Sequence, residues 1–217
     1  MNFNKLFNFL NELEKNNSKV WMDSNRRRYK DLRTEFIGWL DDLDDTLADI
    51  DKYYYRTPGI KGINRINNNL MFHPNKPVYK DHFGAGLDKA PGKGDFYIQI
   101  GINESLLAGG IWRPDPKSLR SIRDAIDYNG EELIKIINRA SFKKTFGSLY
   151  VDEKLKGAPK GFSKEHPYID LLRHKSFAVV HPLAKDQVLS NDFKEIVIDV
   201  YKEMQPFRRY LNQALTV

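Results

Sequence analysis

The side-chain types that hold anions are concentrated between residues 65 and 82. Six polar residues of this stretch are candidates for contact with a ligand: Arg65, Asn67, Asn69, Lys76, Tyr79 and Lys80. Arg offers a planar fork of N–H donors and Lys a compact charge, and proteins use both to hold phosphate or carboxylate groups. The same residues also suit a structural network that fixes a loop to a sheet, because buried polar groups need partners in either case. Both interpretations stay open.

A second group of candidates lies further along the chain, at Trp112, Arg113 and Lys160. Trp112 and Arg113 would place an aromatic platform beside a cation at the end of a hairpin. Lys160 belongs to a stiff turn that begins with Pro159. The glycine pair at 109–110 would let the backbone come close to a ligand or to another strand. A single binding pocket requires both groups to converge, whereas each of these residues alone also suits packing.

Several common catalytic and cofactor motifs are absent. There is no Gly-x-Ser-x-Gly nucleophile elbow, and the lack of cysteine excludes disulfides, thiolate metal sites and thiol nucleophiles. Residues 86–93 are similar to a phosphate-binding loop, but their glycine spacing is wrong and a strand is predicted after them. His73, Asp81 and His82 have only isolated spacings, which are weak evidence for a metal site. We therefore expect no metal and no cofactor, and a structural role for His181.

The charge of the chain is unevenly distributed. The 217 residues have a net charge of +6 at pH 7. Residues 1–60 carry 10 basic and 11 acidic side chains, whereas residues 61–217 carry 25 basic and 18 acidic ones, a net charge of +7 for the second part. A basic surface attracts nucleic acids, phosphorylated metabolites and other anions, although it also serves solubility.

Composition predicts a soluble, cytoplasmic protein. The hydrophobic fraction of 41% and the charged fraction of 29% are typical of a globular chain. No apolar run reaches the roughly 18 residues of a membrane span, so no membrane partner is expected. The first residues lack the basic and apolar regions of a secretory signal. The sequence does not indicate an oligomeric state.

Hydrophobic spacing predicts two helices near the start of the chain. Apolar residues recur at intervals of three and four over residues 3–15. A long second helix is expected to begin near Asp23 or Ser24. Several aspartates between positions 41 and 51 crowd the end of this helix, where its dipole disfavours negative charge. We expect them to form a solvated face or to be neutralised by basic neighbours.

In the middle of the chain the apolar residues change to a period of two. Strict alternation over residues 96–102 predicts a strand, and a turn at 103–105 would join it to a second strand over 106–112. Two more strands are expected, over 62–72 and 177–183. Further helices are predicted at about 117–127, 130–140, 164–173 and 191–204.

These elements predict an α+β fold, helix-rich overall, with a small antiparallel sheet flanked by several helices. Pro206 is expected to kink or end the last long helix before a short one that reaches residue 215. No repeat, low-complexity tract or linker divides the sequence. A single domain is therefore expected over residues 1–217.

Four ordered blocks of sequence extend over nearly the whole chain. They are Asn16-Asn17 to Tyr29, Arg65-Ile66 to Tyr79-Lys80, Gly109-Gly110-Ile111-Trp112-Arg113-Pro114 to Arg123, and Pro159-Lys160-Gly161-Phe162 to Lys175-Ser176. In their order and spacing, they make the chain resemble the uncharacterised bacterial and fungal family catalogued as domain of unknown function 2461. The resemblance implies no established reaction, cofactor or partner.

The chain departs from the pattern of that family in the second block. The family has an Arg-Asp pair where Asn68 and Asn69 stand, an Arg where Met71 stands, and a Pro where Val78 stands. If the acidic residue of that pair were a catalytic base, Asn69 could not replace it. The sequence therefore leaves open whether this chain catalyses a reaction.

The leading hypothesis is a protein that binds a small anionic ligand in a basic, aromatic-edged pocket. Arg and Lys would hold a phosphate or carboxylate group, and Tyr79 or a histidine would transfer a proton. One alternative is a nucleic-acid-binding module, because basic residues alternate with aromatic ones. Another is a structural protein whose acidic helix end meets a basic partner. A steep dependence of affinity on salt would distinguish the first alternative.

Overall fold

The computed structural model describes residues 1–215, and these form nine helices and a four-stranded antiparallel sheet. The helices are α1 (Phe3–Lys15), α2 (Lys19–Ser24), α3 (Arg26–Ile50), α4 (Gly59–Gly62), α5 (Pro116–Asn138), α6 (Ala140–Phe146), α7 (Ile169–Leu172), α8 (Lys185–Leu189) and α9 (Phe193–Ala214). The strands pair in the order in which they follow along the chain: β1 (His82–Leu87), β2 (Phe96–Gly101), β3 (Ser105–Ile111) and β4 (Phe177–Leu183). The predicted helix-rich α+β class is confirmed.

The chain groups into two compact units, each assembled from three segments. Unit 1 contains Met1–Lys89, Tyr97–Leu107 and Pro182–Val197. Unit 2 contains Ala90–Phe96, Ala108–His181 and Ile198–Val217. The expectation of one domain over residues 1–217 stays a prediction.

Helix α1 forms where the hydrophobic spacing predicts it, over residues 3–15. Asn2 begins it by accepting a hydrogen bond from the Lys5 backbone N–H at 3.1 Å. The apolar stripe of α1 is buried in unit 1, together with residues from α3 and the sheet: Leu6, Leu10, Leu13, Phe36, Leu40, Phe83 and Ile98. The rings of Phe36 and Phe83 meet edge to face at 5.6 Å, so α3 packs on β1 through an aromatic contact.

The long second helix predicted from the sequence is α3, and a short helix, α2, comes before it. Ser18 begins α2 because its hydroxyl accepts a hydrogen bond from the Trp21 N–H at 3.3 Å. Asn25 then interrupts the helical backbone with φ −106° and ψ 13°, and α3 starts after it. The N-cap of α3, Asn25, thus lies within one or two residues of the predicted start near Asp23 or Ser24, whereas the sequence patterns do not predict α2.

Aspartates near the end of α3 hold the segment that follows the helix, so they are more than a solvated face. The carboxylate of buried Asp44 accepts hydrogen bonds from the Tyr54 hydroxyl at 2.5 Å and from the Thr57 N–H at 2.8 Å. Asp41 accepts one from the Gly59 N–H at 2.7 Å. Two other aspartates have the basic neighbours expected from the sequence: Asp45 with Arg56, and Asp42 with Lys194.

The strand predicted over residues 62–72 does not form. The chain there leaves helix α4 and makes two isolated bridges, Ile63 with Ala85 and Asn67 with Tyr79. The strand of the sheet is β1, in which every residue after His82 is buried. Its sequence, His-Phe-Gly-Ala-Gly-Leu, does not alternate between apolar and polar residues, so a search for period two cannot detect it.

The other three strands lie within one or two residues of their predicted bounds, whereas the helices differ more. The two helices predicted over 117–127 and 130–140 form one element, α5, which Asn129 interrupts with φ −144° and ψ 47°. The helix predicted over 164–173 is reduced to α7, because a proline at 167 disfavours helical backbone in the residue before it. Helix α9 continues through Pro206, where buried Met204 and Phe207 anchor both sides.

Candidate functional site

Residues 65–80 form a short antiparallel hairpin in unit 1, which we call the basic hairpin. The Lys80 N–H donates a hydrogen bond to the Ile66 carbonyl at 2.8 Å, and the Asn68 N–H donates one to the Val78 carbonyl at 3.0 Å. This pairing places the two ends of the polar stretch side by side. The backbone of the polar stretch is thus held by its own hydrogen bonds.

Lys80 lies at the centre of the positive charge of the basic hairpin. Its half-buried ammonium group donates a hydrogen bond to the Arg65 carbonyl at 2.9 Å. Burial lowers the pKa of Lys80 below its ordinary value, and the positive charges of Arg65 and Lys76 lower it further. Within residues 1–215, none of these three cations forms an ion pair with a carboxylate. The hairpin therefore concentrates uncompensated positive charge.

Tyr79, the proton donor suggested by the sequence, makes its contacts with other elements. Its side chain is buried, and its backbone N–H and carbonyl both bond to the amide of Asn17, at 2.9 and 3.0 Å. The Arg26 guanidinium forms a strong hydrogen bond with Asp23 and a weaker one with the Tyr79 hydroxyl. Both hydrogen bonds raise the pKa of Arg26, the bond with Asp23 more than the bond with Tyr79. Tyr79 thus joins the hairpin to the region of α2, and no bond in the described chain links its hydroxyl to Lys80.

The remaining predicted residues of the hairpin are exposed. Asn67 and Asn69 form no side-chain hydrogen bond among the described residues, so both amides face solvent. The tip of the hairpin is apolar, with Met71 81% and Phe72 69% exposed.

Trp112 and Arg113 come together in unit 2, at the end of β3. Trp112 Nε1 and Arg113 Nε both donate hydrogen bonds to Oδ2 of Asp152, each at 3.1 Å. The guanidinium of Arg113 also lies over the indole ring, 4.8 Å from its centroid. Asp152 compensates the charge of Arg113, so this pair differs from the open cations of the basic hairpin.

Asp152 is firmly held although it lies in a loop. Its side chain is only 10% exposed. Burial alone would raise the pKa of this carboxyl, but hydrogen bonds from Arg113, from the Glu153 N–H and from Ser176 bring it below its ordinary value. Ser176 Oγ in turn accepts a hydrogen bond from the Arg113 N–H at 3.0 Å. The ionised carboxylate is thus part of the folded structure.

Replacement of Asp152 by Asn should lower the free energy of unfolding at neutral pH by about 1 kcal/mol, because hydrogen bonds to a charged acceptor are the stronger ones. The pKa of Asp152 is lower in the folded state than in the unfolded state, so the contribution is complete above about pH 5. It should disappear as the pH falls through the folded-state value. Thermal unfolding of both proteins between about pH 3 and pH 7 measures this. A difference that persists at the lowest pH would show that the charge of Asp152 is not what stabilises the loop.

Lys160 is separate from Trp112 and Arg113 in its contacts. Its carbonyl accepts a hydrogen bond from Arg120 Nη1 at 3.2 Å, and the Arg120 guanidinium lies 4.9 Å from the centroid of the Phe162 ring. The Lys160 side chain is exposed. Among the described residues, no hydrogen bond, ion pair or ring contact joins it to the Trp112-Arg113 pair. The structure therefore brings together Arg65, Lys76 and Lys80 in unit 1 and, separately, Trp112 and Arg113 in unit 2.

The glycine pair at 109–110 serves close packing. A Cβ atom on Gly109 would lie well inside 3.0 Å of Met204 Sδ, and one on Gly110 would lie equally close to the Phe177 carbonyl oxygen. Of the two uses suggested by the sequence, the close approach of another strand is the one that the structure shows.

None of the nine predicted residues lines either of two cavities in the described part of the chain. One, of about 380 Å³, lies in unit 1 next to the start of α1, and the other, of about 460 Å³, lies in unit 2 at the break of α5. His181 has the expected structural contact, with Nδ1 2.8 Å from the Thr145 carbonyl oxygen.

No three His, Cys, Asp or Glu side chains within residues 1–215 are grouped so that they could hold a metal ion. None of the helices described there combines the length and the apolar character needed to cross a membrane.

A comparison with protein families tests the resemblance found in the four sequence blocks. The family model described as "Conserved hypothetical protein (DUF2461)" matches residues 5–210 of the 217-residue chain. The chain belongs to the DUF2461 family. The description of DUF2461 names no reaction, so the function has to be inferred from the residues themselves. No curated protein and no solved structure gives a significant match.

Sequence patterns in this DUF2461 protein do not single out the residues around the larger cavity. These are mainly polar and aromatic residues of α5 and α9: Ser121, Asp124, Tyr128, Asn129, Glu132 and Tyr210. The signal that could have found them is Asn129-Gly130 inside a helical pattern, because both residue types favour breaks in a helix.

Proposed function

We propose that the basic hairpin binds a small anion that carries a phosphate or carboxylate group. The observation that supports this is the position of Lys80, which is half-buried beside two other cations and has no carboxylate partner among the described residues. Burial lowers the pKa of Lys80, repulsion by Arg65 and Lys76 lowers it further, and the cluster attracts any negative charge that approaches it. An anion would therefore bind where the chain supplies no counter-ion of its own.

The surroundings of Lys80 supply the other donors that such a ligand needs. The Arg65 side chain is exposed, and its guanidinium offers a bidentate fork to phosphate or carboxylate oxygens. The bridge between Asn67 and Tyr79 places their side chains on one side of the hairpin, so the charged donors near Lys80 are those of Arg65 and Lys76. The ligand would be held by charge and hydrogen bonds, and no covalent bond would be made or broken.

Replacement of Lys80 by Met should weaken the binding of inorganic pyrophosphate about ten-fold or more, because one charge-assisted hydrogen bond contributes roughly 1.5–3 kcal/mol. Isothermal titration calorimetry with inorganic phosphate, pyrophosphate and citrate measures the affinities. Backbone amide shifts in NMR spectra locate the site. The bound anion should also raise the pKa of Lys80, which the NMR titration of its Cε resonance reports.

Lys61→Met is the matched control for this experiment, because Lys61 is an exposed lysine of α4 outside the basic hairpin. It should change the affinity for pyrophosphate less than two-fold, about 0.4 kcal/mol. If both variants weakened pyrophosphate binding equally, the net charge of the protein, and not the position of Lys80, would explain the affinity. Absence of amide shifts in the hairpin with all three anions would refute the proposal.

Single-stranded nucleic acid is a second candidate ligand, favoured by the exposed ring of Phe72 at the tip of the same hairpin. Stacking of a base on an aromatic ring contributes about 1–3 kcal/mol, and phosphate contacts make affinity fall steeply with salt. Phe72→Ala should then weaken binding of a thymidine oligonucleotide while leaving pyrophosphate unaffected. A flat dependence of oligonucleotide affinity on salt would exclude this candidate.

A further inference from the structure

The larger cavity of unit 2 has the size of a small-molecule site. Its volume is about 460 Å³, within the range of roughly 300–1,000 Å³ in which proteins hold small ligands. It lies where Asn129 interrupts α5, next to the last residues of α9, Gln213 and Ala214. None of its lining residues belongs to the basic hairpin or to the Trp112-Arg113 pair, so it is a different site from the one proposed above.

Two tyrosine rings form part of the cavity wall. Tyr128, at the break of α5, is 93% exposed, whereas Tyr210 of α9 is 9% exposed. The Tyr210 hydroxyl donates a hydrogen bond to the Asn129 carbonyl at 3.3 Å, which fixes its ring against the break. The faces of aromatic rings carry partial negative charge and attract cations. An exposed tyrosine as large as Tyr128 contributes nothing to the core, so its ring is free to cover a ligand.

The carboxylates at the cavity are not fully compensated. Asp124 is paired with Arg120 through two bonds of 3.0 and 2.9 Å. Glu132 also lines the cavity and forms no ion pair among the described residues. Burial raises the pKa of Tyr210 to about 12, and the negative charge of the exposed Glu132 adds to this, so the carboxylate lies near the Tyr210 hydroxyl.

Helix ends of both signs lie around the cavity. The first half of α5 ends at Asn129 and α9 ends at Ala214, so two carbonyl ends lie in this region. The second half of α5 begins after Asn129 and adds an amide end, with Glu132 in its first turn. The partial charges of these helix ends therefore offset one another in part. Positive charge in the cavity is favoured by the aromatic faces and by the carboxylate of Glu132, although the chain as a whole is basic.

We propose that this cavity binds an organic cation, an alkylammonium or arylalkylammonium group whose charge lies against Glu132 and whose apolar part lies between Tyr128 and Tyr210. A carboxylate or phosphate ligand would be repelled by the charge of Glu132. A neutral apolar ligand would leave the charge of Glu132 uncompensated. Positive charge on the ligand is thus the feature that the cavity selects.

Three probes of nearly equal size test the proposal: 2-phenylethylammonium, 2-phenylethanol and 3-phenylpropionate. Binding is followed by backbone amide shifts at residues 124–132 and by calorimetry on the full chain. The cationic probe should bind at least five-fold more tightly than the neutral one, and the anion should cause no shifts in this region. Equal binding of all three, or binding of none, would overturn the proposal.

Variants of adjacent residues provide matched controls. Glu132→Gln should weaken binding of 2-phenylethylammonium about five-fold or more and leave 2-phenylethanol unchanged. Glu131→Gln should have little effect, because Glu131 pairs with Lys135 at 2.8 Å and does not line the cavity. Tyr128→Ala should weaken the binding of the cationic probe. The variant should still fold, since that side chain is almost fully exposed. Equal effects of the two glutamate variants would show that general surface charge, and not the cavity, attracts the probe.

Discussion

Replacement of Gly110 by Ala is expected to destabilise the protein by more than about 3 kcal/mol and to lower its melting temperature by roughly 6–12 °C. Gly110 has a φ of 111°, a conformation that L-residues with a Cβ rarely adopt. Its new Cβ would also lie well inside 3.0 Å of the Phe177 carbonyl oxygen, which belongs to the neighbouring strand β4. The backbone of a paired strand cannot move aside without loss of its hydrogen bonds. Thermal unfolding followed by circular dichroism measures the effect.

Gly147→Ala separates the two causes of this effect. Gly147 has a positive φ of 71°, but no atom lies within 4 Å of the position that its Cβ would take. Strain alone should therefore destabilise this variant by about 1–2 kcal/mol. If both variants lose the same stability, the clash with β4 contributes nothing and the expectation for Gly110 is wrong.

Replacement of Asp44 by Ala is expected to destabilise the protein by about 2–4 kcal/mol. The variant removes the acceptor for the Tyr54 hydroxyl and for the buried Thr57 N–H, and a buried donor that loses its partner costs about 1–3 kcal/mol. The segment after α3 should then separate from the helix. Chemical denaturation gives the loss of stability, and hydrogen exchange at Thr57 shows whether that segment opens.

Asp49→Ala is the control for Asp44→Ala, because Asp49 lies on the same helix, is exposed and forms no hydrogen bond or ion pair among the described residues. Its loss should change stability by no more than about 0.5 kcal/mol. Asp44→Asn should have an intermediate effect, since it keeps one acceptor oxygen. A stability loss in Asp49→Ala as large as that in Asp44→Ala would assign the effect to the charge of the helix end instead of the buried bonds.

Local patterns predict the elements whose burial follows their own sequence. Helix α1 buries one stripe and β2 buries alternate residues, so the periods of 3.6 and 2 are visible in each. Strand β1 fails this test because its small residues are buried without alternation. Proline disfavours the interior of a helix, and this preference is plain in the sequence at Pro206. Helix α9 nevertheless continues through Pro206, because its apolar contacts stabilise the helix by more than the proline destabilises it.

The candidate sites depend on contacts between distant positions, which single-sequence patterns do not contain. Lys80 and Arg65 could be chosen by residue type, but their contact depends on hairpin pairing that no repeat or turn motif indicates. The partner of Arg113, Asp152, lies 39 positions away in sequence. The cavity of unit 2 depends on a helix break at Asn129 and on the side of α9 that faces it, so neither its position nor its charge could be predicted.

The segmented composition of unit 1 has a consequence for the synthesis of this protein. Its first segment ends at Lys89, but its last one, Pro182–Val197, leaves the ribosome more than one hundred residues later, roughly 5–20 s at ordinary elongation rates. Helix α8 belongs to that late segment and places Lys185 over the ring of Phe7 of α1, at 5.0 Å. During the interval, α1 is complete while part of its apolar surface is uncovered. The nascent chain should therefore be a client of ribosome-associated chaperones, and slowing translation after residue 89 should lengthen that dependence.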